Sequence, residues 1–354
     1  MPSLKKIDVV RLVLSDRSRN PQRSEGKAFA PSNIALCKYW GKRNNELNLP
    51  ITSSLSVSLG HLGTTTKLAL RAGPADEIHL NGEPLPSRSK FARGVVNFLN
   101  LFRPDPAAYF AVDTRNTVPT AAGLASSASG FAALTLALQD LFGWNLEPRH
   151  LSILARLGSG SASRSVYEGF VQWHAGADED GMDSFAELIP ERWFDLRLGL
   201  IKISTAAKDI ASRDAMKITR RTSALYEAWP VKVAHDLLLV REAIDARDFD
   251  LLGRTAESNA LAMHATSLAA WPPVLFWLPE SVAAMRKVWE LREAGHHLYF
   301  TMDAGPNLKL LFLARDTDLV RLHFPEVEIV SRRVEGDLHR YTYKDCHDRS
   351  ARLA

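Results

Sequence analysis

The chain has 354 residues, 46% hydrophobic and 24% charged, with 44 Lys and Arg against 40 Asp and Glu for a formal charge of +4. This balance excludes a disordered chain, a collagen-like repeat and a fibrous rod, and the length allows two domains that each bury a core. The basic residues are scattered among acidic neighbours, and the densest stretch, Arg213 to Arg221, holds only four, so no nucleic-acid partner is expected.

Cys37 and Cys346 lie too far apart to build a disulfide framework or a cysteine-rich zinc site, which fits a reducing compartment. The opening MPSLKKIDVVRLVLSDRSRN joins basic residues to an apolar stretch, but Asp8, Arg11 and Asp16 interrupt it and no small-residue cleavage site follows. No apolar run approaches the roughly 18 residues that span a bilayer. A cytoplasmic protein without membrane attachment is expected.

Residues 1–27 end in the polar run RNPQRSEGK and read as a loosely held extension, with the ordered fold starting at Ala28. Short strands follow: Thr64–Arg71 is β-branched and alternating, and Glu77–Leu80 runs into Asn81-Gly82, a hairpin-turn pair. Phe91, Val95, Phe98, Leu99 and Phe102 recur at helical spacing within Ser89–Phe102, and Ala108–Asp113 returns to a strand pattern. The Pro/Gly/Ser stretch Val118–Gly130 leads into Phe131–Phe142, whose alanines and leucines predict a buried helix. A helical segment, His150–Arg156, then precedes a second Gly/Ser loop, Leu157–Ser165.

The second half opens with a strand-like run, Leu198–Thr205. Helices are predicted over Pro230–Ala246, Asp248–Met263 and Ser281–Ala294, the last stopped by Gly295, and strands over His297–Met302, Leu308–Ala314 and Val327–Val334. The class is α+β, with two αβ lobes meeting between residues 180 and 205.

PTAAGLASSASG, Pro119–Gly130, stands at a helix start, where unpaired N–H groups and a partial positive charge favour anions. Gly123 permits close backbone approach, and Ser126, Ser127 and Ser129 add hydroxyls; the loop is either a phosphate cradle or a small-residue stretch for tight helix packing. No GxxxxGK[ST] pattern occurs. GSGSASRS, Gly158–Ser165, offers Ser159, Ser161 and the planar fork of Arg164 to a second anion, and neither a dinucleotide-fold strand nor a G-x-S-x-G elbow accompanies it.

KYWGKR puts Lys38 and Lys42 beside Tyr39 and Trp40, and alone it reads more readily as a solvated basic turn. KDIASR, which contains Ser212 and Arg213, reads alone as surface. MDAGPN sets Asp303 in a turn between two apolar strands. Such an Asp most often only shapes the turn, yet beside anion-binding loops it is placed to act on a hydroxyl. The eleven histidines show no HExxH pair and no zinc-site spacing, so no metal site built by the protein is expected; Mg²⁺ would arrive on nucleotide phosphates.

The strings APSNIALCKYWGKRNNELNLPITSSLSVSL (30–59), NTVPTAAGLASSASGFAAL (116–134), ARLGSGSASRSVYEGFVQW (155–173) and YFTMDAGPNLKLL (299–311) resemble the diphosphomevalonate decarboxylase family of the GHMP kinase superfamily. The resemblance runs from Ala28 to about residue 335. It implies a ribosomal S5 domain-2-like N-terminal lobe over 28–197, a ferredoxin-like C-terminal lobe over 198–338, a tail over 339–354 and an active site in the cleft. It also implies a homodimeric enzyme of isoprenoid biosynthesis that uses ATP and Mg²⁺ to convert mevalonate 5-diphosphate to isopentenyl diphosphate, ADP, phosphate and CO₂.

Carried over by motif, the nucleotide-phosphate positions are Gly123, Ser126, Ser127 and Ser129, and the diphosphate positions are Tyr39, Lys42, Ser159, Ser161, Arg164, Ser212 and Arg213. The catalytic aspartate matches Asp303, with Lys38 beside it and Arg164 able to hold the substrate carboxylate as well. Ser163 stands where the family often has cysteine, and Ala211 where a serine is common. Alternatives on the same scaffold are a mevalonate 5-phosphate decarboxylase, a mevalonate 3-kinase, and a non-catalytic nucleotide or isoprenoid-phosphate sensor.

Overall fold

The computed structural model describes residues 4–117, 126–206 and 209–330. Order begins earlier than Ala28. Helix α1 (Lys6–Leu14) buries Val9, Val10, Val13 and Leu14, so residues 1–27 are not simply a loose extension. Asp8 and Arg11, which interrupt the apolar run in sequence, leave the i, i+1, i+4, i+5 set of apolar residues on one helical face. The expected tail, 339–354, lies outside the described residues.

In place of a series of short strands, two long ones dominate the N-terminal lobe. They are β1 (Gly26–Cys37) and, after the small pair β2 (Lys42–Asn44) and β3 (Leu49–Pro50), β4 (Ser54–Arg71). β1 and β4 pair antiparallel from Gly26↔Leu68 to Cys37↔Leu55, with register shifts between Pro31 and Asn33 and between Ala35 and Cys37. The hairpin β5 (Glu77–Leu80) and β6 (Glu83–Pro84) turns at Asn81 and Gly82, whose φ values of 55° and 90° suit that residue pair. Then come α2 (Lys90–Leu99), β7 (Tyr109–Asn116), α3 (Ser126–Phe142), α4 (Pro148–Gly158), β8 (Phe170–Trp173) and β9 (Ala186–Ile189). The sheet runs β6-β5-β7-β4-β8-β9, with β1 also paired to β4.

β4 shows how this sheet serves two purposes. Leu55, Val57 and Leu59 enter one apolar core while the alternating Ser54, Ser56 and Ser58 are buried among polar partners. A separate core joins α1, α2, α3 and α4 to Leu68, Phe110 and Val112 of the sheet.

The C-terminal lobe comprises β10 (Leu196–Ile201), α5 (Ser212–Thr222), α6 (Trp229–Ala246), α7 (Phe249–Leu268), α8 (Pro279–Glu293), β11 (Tyr299–Met302), β12 (Leu308–Leu313), α9 (Thr317–His323) and β13 (Glu328–Val330). Its four-stranded antiparallel sheet has the order β11-β12-β10-β13. Leu308, Leu310 and Phe312 of β12 pack with α8 and α9, whereas Leu311 joins the core shared by α6, α7, β1 and β4. That shared core fastens the lobes together. Helix α5 was not legible in KDIASR; Ala215, Met216 and Thr219, buried one turn apart, are what fold it. Among the described residues no helix is long and apolar enough to cross a membrane.

α7 crosses β11 at Gly253, where a Cβ would lie 2.1 Å from Cδ2 of Tyr299. Gly253→Ala should therefore lower stability by about 1–3 kcal/mol through overpacking. Denaturant unfolding reads this directly, and an unchanged midpoint would contradict the packing.

Candidate active site

A cleft of about 1120 Å³ opens between the lobes. The end of β1 brings Lys38 and Tyr39, β2 brings Lys42, and the first turn of α3 brings Ser127. Ser159 follows α4, and a 3-10 turn over Gly160–Val166 carries Ser161 and Arg164. From the other lobe come Ser212 and Arg213 in the first turn of α5 and Asp303 just after β11. All of them line the cleft. Among the described residues six basic side chains, Lys6, Lys38, Lys42, Lys90, Arg164 and Arg213, face two carboxylates, Asp214 and Asp303.

At one end Lys38 Nζ lies 3.0 Å from Asp303 Oδ1 and donates to the Ala35 carbonyl at 2.7 Å. Lys309 Nζ lies 3.4 Å from Oδ2 and donates to the Asn307 carbonyl at 3.2 Å. Both lysine side chains are 2% exposed and the carboxylate 24%, so the acid is the accessible member of the group. Burial pulls the Lys38 ammonium down to about 8, with Asp303 opposing the fall and Lys309 adding to it. The Lys38 backbone N–H donates to Asn259 Oδ1 at 2.8 Å, and Asn259 Nδ2 donates to Asp236 at 2.7 Å. α6 and α7 thus hold the end of β1.

Arg164 is held by neutral acceptors: Nη1 donates to Ser54 Oγ at 2.6 Å, Nε to Ser56 Oγ at 3.1 Å, and Nη2 to Asn33 Oδ1 at 3.3 Å. Its guanidinium sits 5.9 Å from the Trp173 ring centroid. Burial lowers its pKa to about 10 against the pull of Asp303, so it stays charged near neutrality.

At the other end Lys42 Nζ donates to Asn48 Oδ1 at 2.5 Å, and Asn48 Nδ2 donates to the carbonyls of Arg156 and Leu157. Burial, Arg213 and Lys6 lower Lys42 to about 8. Tyr39 packs edge-on against Trp173, 4.9 Å between centroids, and its buried hydroxyl has no hydrogen-bond partner among the described residues. Ser159 Oγ is 3.3 Å from Ser161 Oγ and 3.5 Å from Ser127 Oγ, drawing the two Gly/Ser segments together. Ala211 occupies the N-cap of α5 without a side-chain bond.

Ser129 departs from expectation. Its hydroxyl is buried, bonded to Thr64 Oγ1 at 2.8 Å and Ser32 Oγ at 3.2 Å, and it ties α3 to the sheet outside the cleft lining. A two-residue step along the helix, which turns Ser129 to the side opposite Ser127, separates the roles. Gly123 and the Ser126 side chain lie outside the described residues.

Sequence reasoning missed Lys309 and the residues that grip Arg164. The signals were present: a lysine in the otherwise apolar LKLLFL, and serines alternating with apolar residues in SLSVSL. It also missed the apolar arm of the cleft, where Phe91, Val95 and Phe98 of α2 approach Phe131 and Leu134 of α3. Among the described residues no group of three His, Cys, Asp or Glu could hold a metal ion.

Two α+β lobes around a cation-lined cleft, with a helix of small residues starting at its edge, have the GHMP kinase architecture. The family model of the diphosphomevalonate decarboxylase-like N-terminal domain matches residues 30–186, and that of the mevalonate 5-diphosphate decarboxylase C-terminal domain matches 200–342. The chain belongs to the diphosphomevalonate decarboxylase family. The Aspergillus fumigatus diphosphomevalonate decarboxylase is 38% identical over 312 residues, covering 82% of this chain and 77% of the relative. The mevalonate diphosphate decarboxylase from Staphylococcus aureus superposes with a TM-score of 0.82 at 38% identity, over 87% of this chain and 95% of the other. The decarboxylase from Enterococcus faecalis, in a structure on mevalonate diphosphate mediated ATP binding, does so at 0.80 and 43%, over 87% and 96%.

Because Asp303 opposes the effect of burial, Asp303→Asn should lower the Lys38 pKa below about 8. Side-chain NMR of labelled lysine follows that titration; a value unchanged or raised would contradict the pairing.

Proposed function

We propose that this chain decarboxylates mevalonate 5-diphosphate, using ATP with Mg²⁺, to give isopentenyl diphosphate, ADP, phosphate and CO₂. The observation that carries the reading is an accessible carboxylate, Asp303, set beside the buried cations Lys38 and Lys309 at one end of a cleft whose other end is lined by Lys42, Ser159, Ser161, Ser212 and Arg213. The substrate brings a diphosphate and a carboxylate and the nucleotide brings more negative charge. Fixed donors are needed to hold such reactants together.

In this reading Lys42, Arg213, Tyr39 and the serines bind the diphosphate, which sets the C3 hydroxyl beside Asp303. Asp303 accepts or orients the hydroxyl proton, and the hydroxyl oxygen attacks the γ-phosphorus of ATP. The resulting phosphate ester is a good leaving group. As phosphate departs, positive charge develops at C3, and the C–C bond to the carboxylate breaks, its electrons forming the new double bond as CO₂ leaves. Arg164 holds that carboxylate in position. Ser127 and the start of α3 suit the nucleotide phosphates, and the apolar arm between α2 and α3 suits a planar base. When bound with the nucleotide, Mg²⁺ supplies charge neutralisation at the phosphates.

The reading extends to a homodimer, for which the support is the exposed Val231 and Leu238, one face of α6 that none of the described residues covers, and to the cytoplasm. Light scattering tests the dimer.

Purified protein given ATP, Mg²⁺ and either mevalonate 5-diphosphate or 5-phosphate should release ADP and CO₂ together from the diphosphate. Equal turnover of the monophosphate, ADP without CO₂, or ligand binding without either product would each overturn the reading in a distinct way. Asp303→Asn should reduce kcat by about 10²–10⁴-fold while KM changes little, and near-normal turnover would remove Asp303 from its role. Arg164→Lys should lose roughly tenfold or more in kcat/KM, because an ammonium cannot reproduce the fork held by Asn33, Ser54 and Ser56.

A further inference from the structure

Helix α1 lies outside the segments matched by the two family models, which begin at residue 30, yet its first residue reaches the cleft. Val9, Val10, Val13 and Leu14 anchor the helix in the core that also holds Leu47 and Leu49 beside β3 and Leu151 and Leu154 of α4. The backbone N–H of Lys6 approaches Glu46 Oε1 at 3.4 Å, in the turn between β2 and β3. The helix is therefore braced on the elements that present Lys42 and lead to Ser159.

Lys6 itself lines the cleft with Lys42 and Arg213. Arg213 makes both lysines harder to hold as cations: Lys6 is lowered by burial and by Arg213, with Glu46 opposing, and Lys42 by burial, Arg213 and Lys6. Lys42 is bonded to the neutral Asn48, and among the described residues the nearby carboxylates Glu46 and Asp214 are fewer than the cations Lys6, Lys42 and Arg213. Lysine also opposes the dipole at a helix N-terminus. An anion with more than one charge would relieve all three penalties at once.

We propose that Lys6 is a third cation for the substrate's diphosphate, so that α1 helps select a diphosphate over a monophosphate. The inference rests on the functional reading above and adds a binding residue to it. Lys6→Met keeps the aliphatic stem and helix propensity while removing the charge. It should raise KM for mevalonate 5-diphosphate by about tenfold, leaving KM for ATP and kcat within about threefold, and Lys6→Arg should recover most of the loss. Lys5→Ala, on the exposed side of the same turn, should behave as wild type.

Inorganic pyrophosphate supplies a readout without turnover: it should raise the melting temperature of the wild-type chain more than that of Lys6→Met. Equal stabilisation of the two, or an unchanged KM in Lys6→Met, would overturn the proposal. The pyrophosphate comparison decides Lys6 even if wild type releases no CO₂, so failure of the functional reading and failure of this inference are distinguishable.

Discussion

Positive charge buried without an equal negative charge is the constraint around which this cleft is organised. Taking a cation from water costs several kcal/mol unless dipoles or anions replace the lost solvation. The protein replaces much of it with neutral acceptors: Asn33, Ser54 and Ser56 for Arg164, Asn48 for Lys42, and the carbonyls of Ala35 and Asn307 for Lys38 and Lys309. Neutral partners orient a cation without cancelling its charge. The field remains available to anionic reactants, and donors fixed beforehand need no reorganisation when charge shifts.

Such placement requires lobes that meet in one arrangement. Leu55, Val57 and Leu59 of β4 and Ile34 and Leu36 of β1 share a core with Val233, Val240 and Leu252 of the C-terminal lobe. Polar contacts set the alignment within that apolar contact. Tyr226 Oη donates to the Trp40 carbonyl at 2.8 Å, Thr301 Oγ1 to that of Ala35 at 3.3 Å, and the Lys38 N–H to Asn259. These bonds flank the Lys38–Asp303 pair, so a carboxylate from one lobe and an ammonium from the other are held by the same packing that buries the core.

The N-terminal helix belongs to this design. Its apolar face completes the N-terminal core, and its first turn projects Lys6 past the β2–β3 turn into the cleft. Removing charge at Lys6 and removing the apolar face are separable changes, because they lie on different parts of one short helix.

Local chemistry in the sequence determined a good deal. Asn81-Gly82 specified its hairpin because both residues accept positive φ, and the leucines and alanines before Phe142 specified a buried helix because little else can cover them. The motifs around Lys38, Ser159, Arg164 and Asp303 were visible for the same reason: each is a compact string whose donors lie close along the chain. Tertiary structure alone decided the rest. Lys309 faces Asp303 because strand alternation and the α6–α7 core turn it inward, Ser129 turns to Thr64 and Ser32 because of its helical phase, and Lys6 meets Lys42 and Arg213 from 36 and 207 residues away. Charge acts through space, so partners that chain spacing cannot relate become neighbours only after the cores have closed.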